Sequence, residues 1–172
     1  MNSRRFAMSA AVAFGGILTS FAVAGPAHAA TTVGVVMNGT ELRMTGSDFS
    51  DDIEIRAEGN ALVVVSRSAK IFNGSDSGCT RVNDSSVRCV GAATLSVQLG
   101  LGNDRFLNNT NRPGVISGNV GVDDITGGAG DDTLSGGNGN DTLDGAGGRD
   151  TVTGGNNIDK CIGEVESPTC ES

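Results

Sequence analysis

Five aspartates stand nine residues apart near the C-terminus: Asp123, Asp132, Asp141, Asp150 and Asp159. A carboxylate repeated at a fixed interval delivers anionic oxygens to equivalent points of a repeating structure. Nothing softer accompanies them. The only histidine is His28, in a leader-like opening stretch, and the chain has no Trp or Tyr. Once that leader is removed, Ser–His and Cys–His catalysis and imidazole metal sites are excluded. Oxygen-only, partly anionic donors suit a hard cation. Ca²⁺ is the natural choice, since it takes about six to eight oxygens at about 2.3–2.6 Å.

The residues around the aspartates must turn the chain and stack it. Cut every nine residues from Gly118, the segments read GNVGVDDIT, GGAGDDTLS, GGNGNDTLD, GAGGRDTVT and GGNNIDKCI. Column one is Gly118, Gly127, Gly136, Gly145 and Gly154. Column two includes Gly128 and Gly137, and column four Gly121, Gly130, Gly139 and Gly148. Column eight is apolar throughout: Ile125, Leu134, Leu143, Val152 and Cys161. A disordered glycine-rich linker has no need of an apolar column. Glycines at columns one, two and four allow a tight turn, and the x-Asp-x-apolar-x stretch extends into a short strand. Such a strand cannot bury its single apolar residue alone, so successive repeats must stack.

This pattern resembles the hemolysin-type, repeats-in-toxin nonapeptide G-G-x-G-x-D-x-U-x. Gly127–Ser135 and Gly136–Asp144 match it fully. The other segments depart from it at Asn119, Ala146, Asn157 and Cys161. The resemblance implies a parallel β-roll or β-solenoid of nonapeptide repeats, and the short β segments upstream add a β-rich N-terminal cap, for an all-β fold. It further implies one turn and one strand per repeat, with calcium between turns of repeats n and n+2. The turns at Gly127 and Gly145 then share one side, and those at Gly118, Gly136 and Gly154 the other. The implied metal set is Asp123, Asp132, Asp141, Asp150 and Asp159, with carbonyls of Gly127, Gly128, Gly130, Gly136, Gly137, Gly139 and Gly145. Asp132, Asp141 and Asp150 form its centre, for about two or three calcium sites.

Upstream, Leu99–Leu107 (LGLGNDRFL) keeps Gly100, Gly102, Asp104 and Phe106 in the right columns, one residue out of phase. An insertion near Asn108–Pro113 is implied. Gly46–Glu54 keeps only Asp51 and Ile53, and reads equally as a plain turn and strand. Short Val-, Ile-, Leu- and Thr-rich segments fill the rest, with turn signals at Asn38-Gly39 and Gly59-Asn60. The chain thus divides into a signal peptide (1–29), a β-rich cap or degenerate solenoid (30–98), repeats (99–162, best over 118–162) and a tail (163–172).

The leader has Arg4 and Arg5, an apolar run over Ala7–Ala24 and an Ala27-His28-Ala29 cleavage motif, the layout of a secretory signal peptide. Without it the chain carries 10 basic and 20 acidic residues, a net charge of −10. That balance argues against nucleic acid as a partner and for calcium ions. No later segment is apolar enough to span a membrane. Cys79, Cys89, Cys161 and Cys170 make an even count in a chain expected to be secreted and extracellular, which favours disulfides. Three pairings are open, the local one being simplest. A four-cysteine zinc site lacks CxxC spacing.

Two other functions compete with calcium binding. A noncatalytic carbohydrate- or surface-binding solenoid would take an extracellular polysaccharide, with Phe49, Phe72 and Phe106 as its aromatics. A two-carboxylate enzyme would draw on Asp48, Asp51, Asp52, Glu54 and Glu58. Those acids read more simply as turn and surface residues, and the sequence points to a protein without catalytic activity.

Overall fold

The computed structural model describes residues 32–73, 78–163, 165–166 and 170–171. The expected signal peptide lies outside the described residues, as does part of the tail. All described regular structure is β. In chain order the strands are β1 (Thr32–Asn38), β2 (Glu41–Thr45), β3 (Asp52–Glu58), β4 (Ala61–Ser66), β5 (Lys70–Asn73), β6 (Cys79–Asn83), β7 (Ser86–Val90), β8 (Thr94–Leu101), β9 (Arg105–Asn109), β10 (Gly114–Val120), β11 (Asp124–Gly128), β12 (Thr133–Asn138), β13 (Thr142–Ala146), β14 (Thr151–Asn156), β15 (Asp159–Ile162), β16 (Val165–Glu166) and β17 (Cys170–Glu171).

From β8 onward the chain alternates between two sheets. One runs β16-β14-β12-β10-β8-β2-β1-β5, the other β17-β15-β13-β11-β9-β3-β4-β7-β6. Within the repeats, strands pair in parallel with partners 18 residues apart, such as Ile116 with Leu134 and Ile125 with Leu143. The eighth column therefore splits into two facing stacks. Met44, Val97, Ile116, Leu134 and Val152 are successive partners in one sheet. Ile53, Phe106, Ile125, Leu143 and Cys161 are partners in the other. All ten are buried in one continuous core. Full burial of such a side chain contributes roughly 1.5–3 kcal/mol, so the stack is the main apolar support of the repeats.

The first seven strands are built differently, and they make both sheets mixed. β1–β2 and β3–β4–β7–β6 are antiparallel, joined to the later strands through the parallel pairs β2–β8 and β3–β9. The reason is local. Asn38 faces Glu41 and Glu58 faces Ala61, so each hairpin has a two-residue loop. Gly39 and Gly59 open those loops, each with φ +63°, as tight hairpin turns require. The cysteines pair locally: Cys79–Cys89 across β6–β7, and Cys161–Cys170 between β15 and β17.

The upstream insertion falls where the phase shift implied. β8 and β10 pair with a 19-residue offset, as do β9 and β11. Gly114 and Asp132, 18 apart, are already back in step. The extra residue is thus absorbed in the turn between Asn108 and Gly114.

Candidate metal centre

Each stacked aspartate stands just before a ladder strand or at its first residue. Column six, column eight and column one all face inward, because successive side chains of a strand alternate between faces. The aspartates therefore form buried stacks where the turns meet the core. One stack is Asp51, Asp104, Asp123, Asp141 and Asp159. The backbone N–H of each donates to Oδ1 of the next, at 2.7, 2.8, 2.8 and 2.9 Å. In the other, Gly114 N–H donates to Asp132 Oδ1 at 2.6 Å, and Asp132 N–H to Asp150 Oδ1 at 2.9 Å. These two stacks are the two sides expected from the n to n+2 pairing. Each carboxylate is no more than 3% exposed.

The second oxygens of five of them have no such partner among the described residues. Oδ2 of Asp104, Asp123, Asp132, Asp141 and Asp159 is buried and accepts no hydrogen bond among the described residues. A buried, unpartnered carboxylate oxygen is costly unless a cation or proton meets it. The column-one glycines keep space beside these oxygens. A Cβ on Gly127 would stand 2.8 Å from Asp132 Oδ2 and 2.9 Å from Gly145 O. Gly118 and Gly136 stand in the same way against Asp123 Oδ2 with Gly136 O, and Asp141 Oδ2 with Gly154 O. Carboxylate and carbonyl oxygens of stacked turns thus converge where a side chain is missing. A Cβ on Gly128, Gly130, Gly137 or Gly139 would meet backbone of the preceding coil equally closely.

Burial raises the carboxyl pKa values, chiefly by desolvation, with repulsion from the neighbouring aspartate in the stack adding to it. Asp104 and Asp132 are pushed up to about 7 and Asp123 to about 6, and Asp141 is raised as well. The oxygens fit a hard divalent cation, which would compensate both the missing partner and the repulsion. Among the described residues no three acidic, His or Cys side chains gather as one metal-binding group. An ion here would be held by one or two carboxylates together with backbone carbonyls.

Three of the consensus departures keep a positive φ. Asn119, Ala146 and Asn157 hold φ of 76°, 68° and 83°. For Ala146 this costs energy, and its N–H gains only a local bond to Asp144 Oδ1 at 2.9 Å. Ala146→Gly is expected to raise stability by about 0.5–1 kcal/mol in saturating calcium. A melting temperature equal to or below the parent's would refute it.

Several residues that matter here were left out of the metal set that the resemblance implied. Asp51 and Asp104 belong to the aspartate stack although their segments look decayed. Column five carries a second ladder. Asn103, Asp131 and Asn140 accept the N–H groups of Val122, Arg149 and Ile158 at 2.9, 3.0 and 3.2 Å. An Asn or Asp at that column was the available signal. In the long turn, Asn108 takes the place of the column-one glycine opposite Gly127. Its amide donates to the carbonyls of Gly127 and Arg112, and its Oδ1 accepts from Thr110 N and Oγ1. Gly114 stands where the acid would be. This turn therefore replaces the carboxylate with an amide that serves the carbonyls directly.

Four of the acids considered for catalysis, Asp51, Asp52, Glu54 and Glu58, have partners of their own. Arg67 pairs with Asp52 and Glu54, and Arg56 with Glu58. Glu54 also accepts from Asn109, which with Arg67 lowers its pKa. Asp51 lines a cavity of about 220 Å³ with Ser47, Phe49, Ser50, Ser68 and Ala69, without a second carboxylate. Of the three phenylalanines, Phe106 is in the core, while Phe49 and Phe72 are exposed. No helix among the described residues is long and apolar enough to cross a membrane.

Residues 117–152 match the family model of the RTX calcium-binding nonapeptide repeat, in four copies. No curated protein and no solved structure matches the chain. With aspartates stacked every second repeat and glycines at the turns, the segment 117–152 is an array of RTX calcium-binding nonapeptide repeats.

Proposed function

We propose that the chain is a secreted, noncatalytic calcium-binding protein whose segment 99–162 folds into a parallel β-roll on binding Ca²⁺. One observation carries this: the run of buried carboxylate oxygens without hydrogen-bond partners, set against backbone carbonyls of the adjacent coil. The parallel pairs 18 residues apart support the roll. Asp123, Asp132, Asp141, Asp150 and Asp159 hold the ions, with carbonyls of the column-one, -two and -four glycines completing the shells. Calcium supplies positive charge between stacked turns. The residues themselves orient the oxygens, because each Oδ1 is fixed by the neighbouring coil's N–H. Residues 30–98 cap one open end of the roll. The leader over 1–29 directs export, and the two disulfides suit an oxidising exterior.

Isothermal titration with calcium tests this on the chain lacking residues 1–29. The parent is expected to bind several ions, and Asp141→Ala to lose one site's worth of heat. An Asp141→Ala titration superimposable on the parent's would remove column six from the ligand set.

A further inference from the structure

We propose that a cavity on the outer face of the sheet holding β3, β9, β11 and β13 binds a neutral saccharide. The cavity has a volume of about 480 Å³, within the usual range for a small-molecule site. Ala57, Asn109, Asn111, Thr126, Ala129 and Ala146 line it, and its lining includes no charged residue. None of the stacked aspartates lines it, so the proposal stands apart from the calcium reading.

The longer turn makes room for it. β3 and β9 pair in parallel only as far as Arg56 and Asn109. Beyond that point β3 runs on through Ala57 towards its hairpin with β4, while the chain after Asn109 enters the turn that carries the extra residue. The cavity opens where the pairing ends. Small residues of the next coils form its floor, with Gly128 and Ala146 as cross-strand partners. Ala129 N–H donates to Thr110 O at 2.9 Å and ties the longer turn to the next coil.

The groups presented suit a sugar ring. Asn109 gives its Nδ2 to Glu54 Oε1 at 3.1 Å, which leaves its Oδ1 as an acceptor. The side chains of Asn111 and Thr126 make no hydrogen bond among the described residues. An amide, a carbonyl oxygen and a hydroxyl therefore remain for ligand hydroxyls. The methyls of Ala57, Ala129 and Ala146 supply an apolar surface for the C–H face of the ring. Ala146 holds a left-handed backbone at φ 68° where the pattern has glycine, and the methyl responsible for that cost lies in the cavity wall. The cavity offers neither a carboxylate to a cation nor a basic group to an anion, so its ligand is uncharged. No aromatic ring lines it, so affinity rests on hydrogen bonds and methyl contact and is weak.

The test is NMR titration of the isotope-labelled chain lacking residues 1–29, in saturating calcium. The probes are neutral cello-, malto-, xylo- and chito-oligosaccharides, with sialyllactose as the acidic counterpart. At least one neutral oligosaccharide is expected to shift the amide signals of Asn109, Asn111, Thr126 and Ala146 saturably. Asn111→Ala is expected to weaken that binding about three- to tenfold. Ala146→Gly, expected above to be more stable than the parent, should weaken it about threefold. Weaker binding by a more stable variant cannot come from a folding defect. The site is overturned by an absence of saturable shifts with every neutral probe, by preferential binding of sialyllactose, or by an Asn111→Ala affinity equal to the parent's. Calcium binding is measured on the same samples. A chain that binds saccharide here but no calcium sustains this site and removes the function proposed above.

Discussion

Chelating calcium with EDTA at pH 8 is expected to abolish most of the β signal contributed by Gly118–Ile162. Calcium at roughly millimolar concentration should restore it. Two features make the metal-free roll unfavourable. Several carboxylates are buried without a partner for one oxygen, each a penalty of about 1–3 kcal/mol or more. The segment also carries glycines in three columns, and ordering glycine costs more backbone entropy than ordering any other residue. Ion binding opposes both. A site that exists only in the folded chain adds about 2.7 kcal/mol at 100 times its Kd, so a few sites suffice to reverse the balance. The facing hydrophobic stacks cannot form piecemeal, so the gain should be cooperative along the array. Circular dichroism that does not respond to calcium would rule the coupling out.

Acid should partly substitute for calcium. In EDTA, β structure and melting temperature are expected to rise as the pH falls from 8 to 5. The sign follows from the direction of the shifts. Asp104, Asp132 and Asp123 have folded-state pKa values of about 7, 7 and 6, raised from 3.8 mainly by desolvation. Between the unfolded and folded values the folded chain holds more protons, so stability falls as the pH rises through that window. The penalty is small near pH 4 and complete above about 7. The exposed Glu54–Arg67 pair works the other way, since its lowered carboxyl pKa loses stability only as the pH falls below the ordinary glutamate range. A measurement at pH 5 avoids that effect. The expected gain in melting temperature between pH 8 and pH 5 is about 5–15 °C. Saturating calcium should remove or reverse it, because the bound ion holds the carboxylates ionised. A calcium-free melting temperature that is flat or falls on acidification would show that the aspartates carry no such burden.

The repeat array was legible because its residues act at short range and at a fixed interval. Gly127, Asp132 and Leu134 each do one local job, and stacking brings the same job round every 18 residues. Hence the aspartate column and the apolar column could be read from spacing, and the two-sided arrangement from the family resemblance. The hairpin loops at Gly39 and Gly59 were legible for the same reason.

Relations that depend on which coil lies above which were not. Val97 and Ile116 complete the core stack, yet their segments lack the glycines that mark a repeat. Only the partners Met44 and Leu134 identify them as column eight. Asn108 looks like part of an insertion until its amide is found on Gly127 O, a residue 19 positions away. Asp51 and Asp104 carry the same side chain in similar decayed segments. Tertiary structure separates them, because Ser47 and Ser68 reach one carboxylate and no described residue donates to the second oxygen of the other. Residue spacing alone places recurring oxygens at equivalent turns of an all-β chain. Which of those oxygens is left needing a cation was decided only by the neighbours that folding brings, since hydrogen bonding and burial belong to contacts and not to spacing.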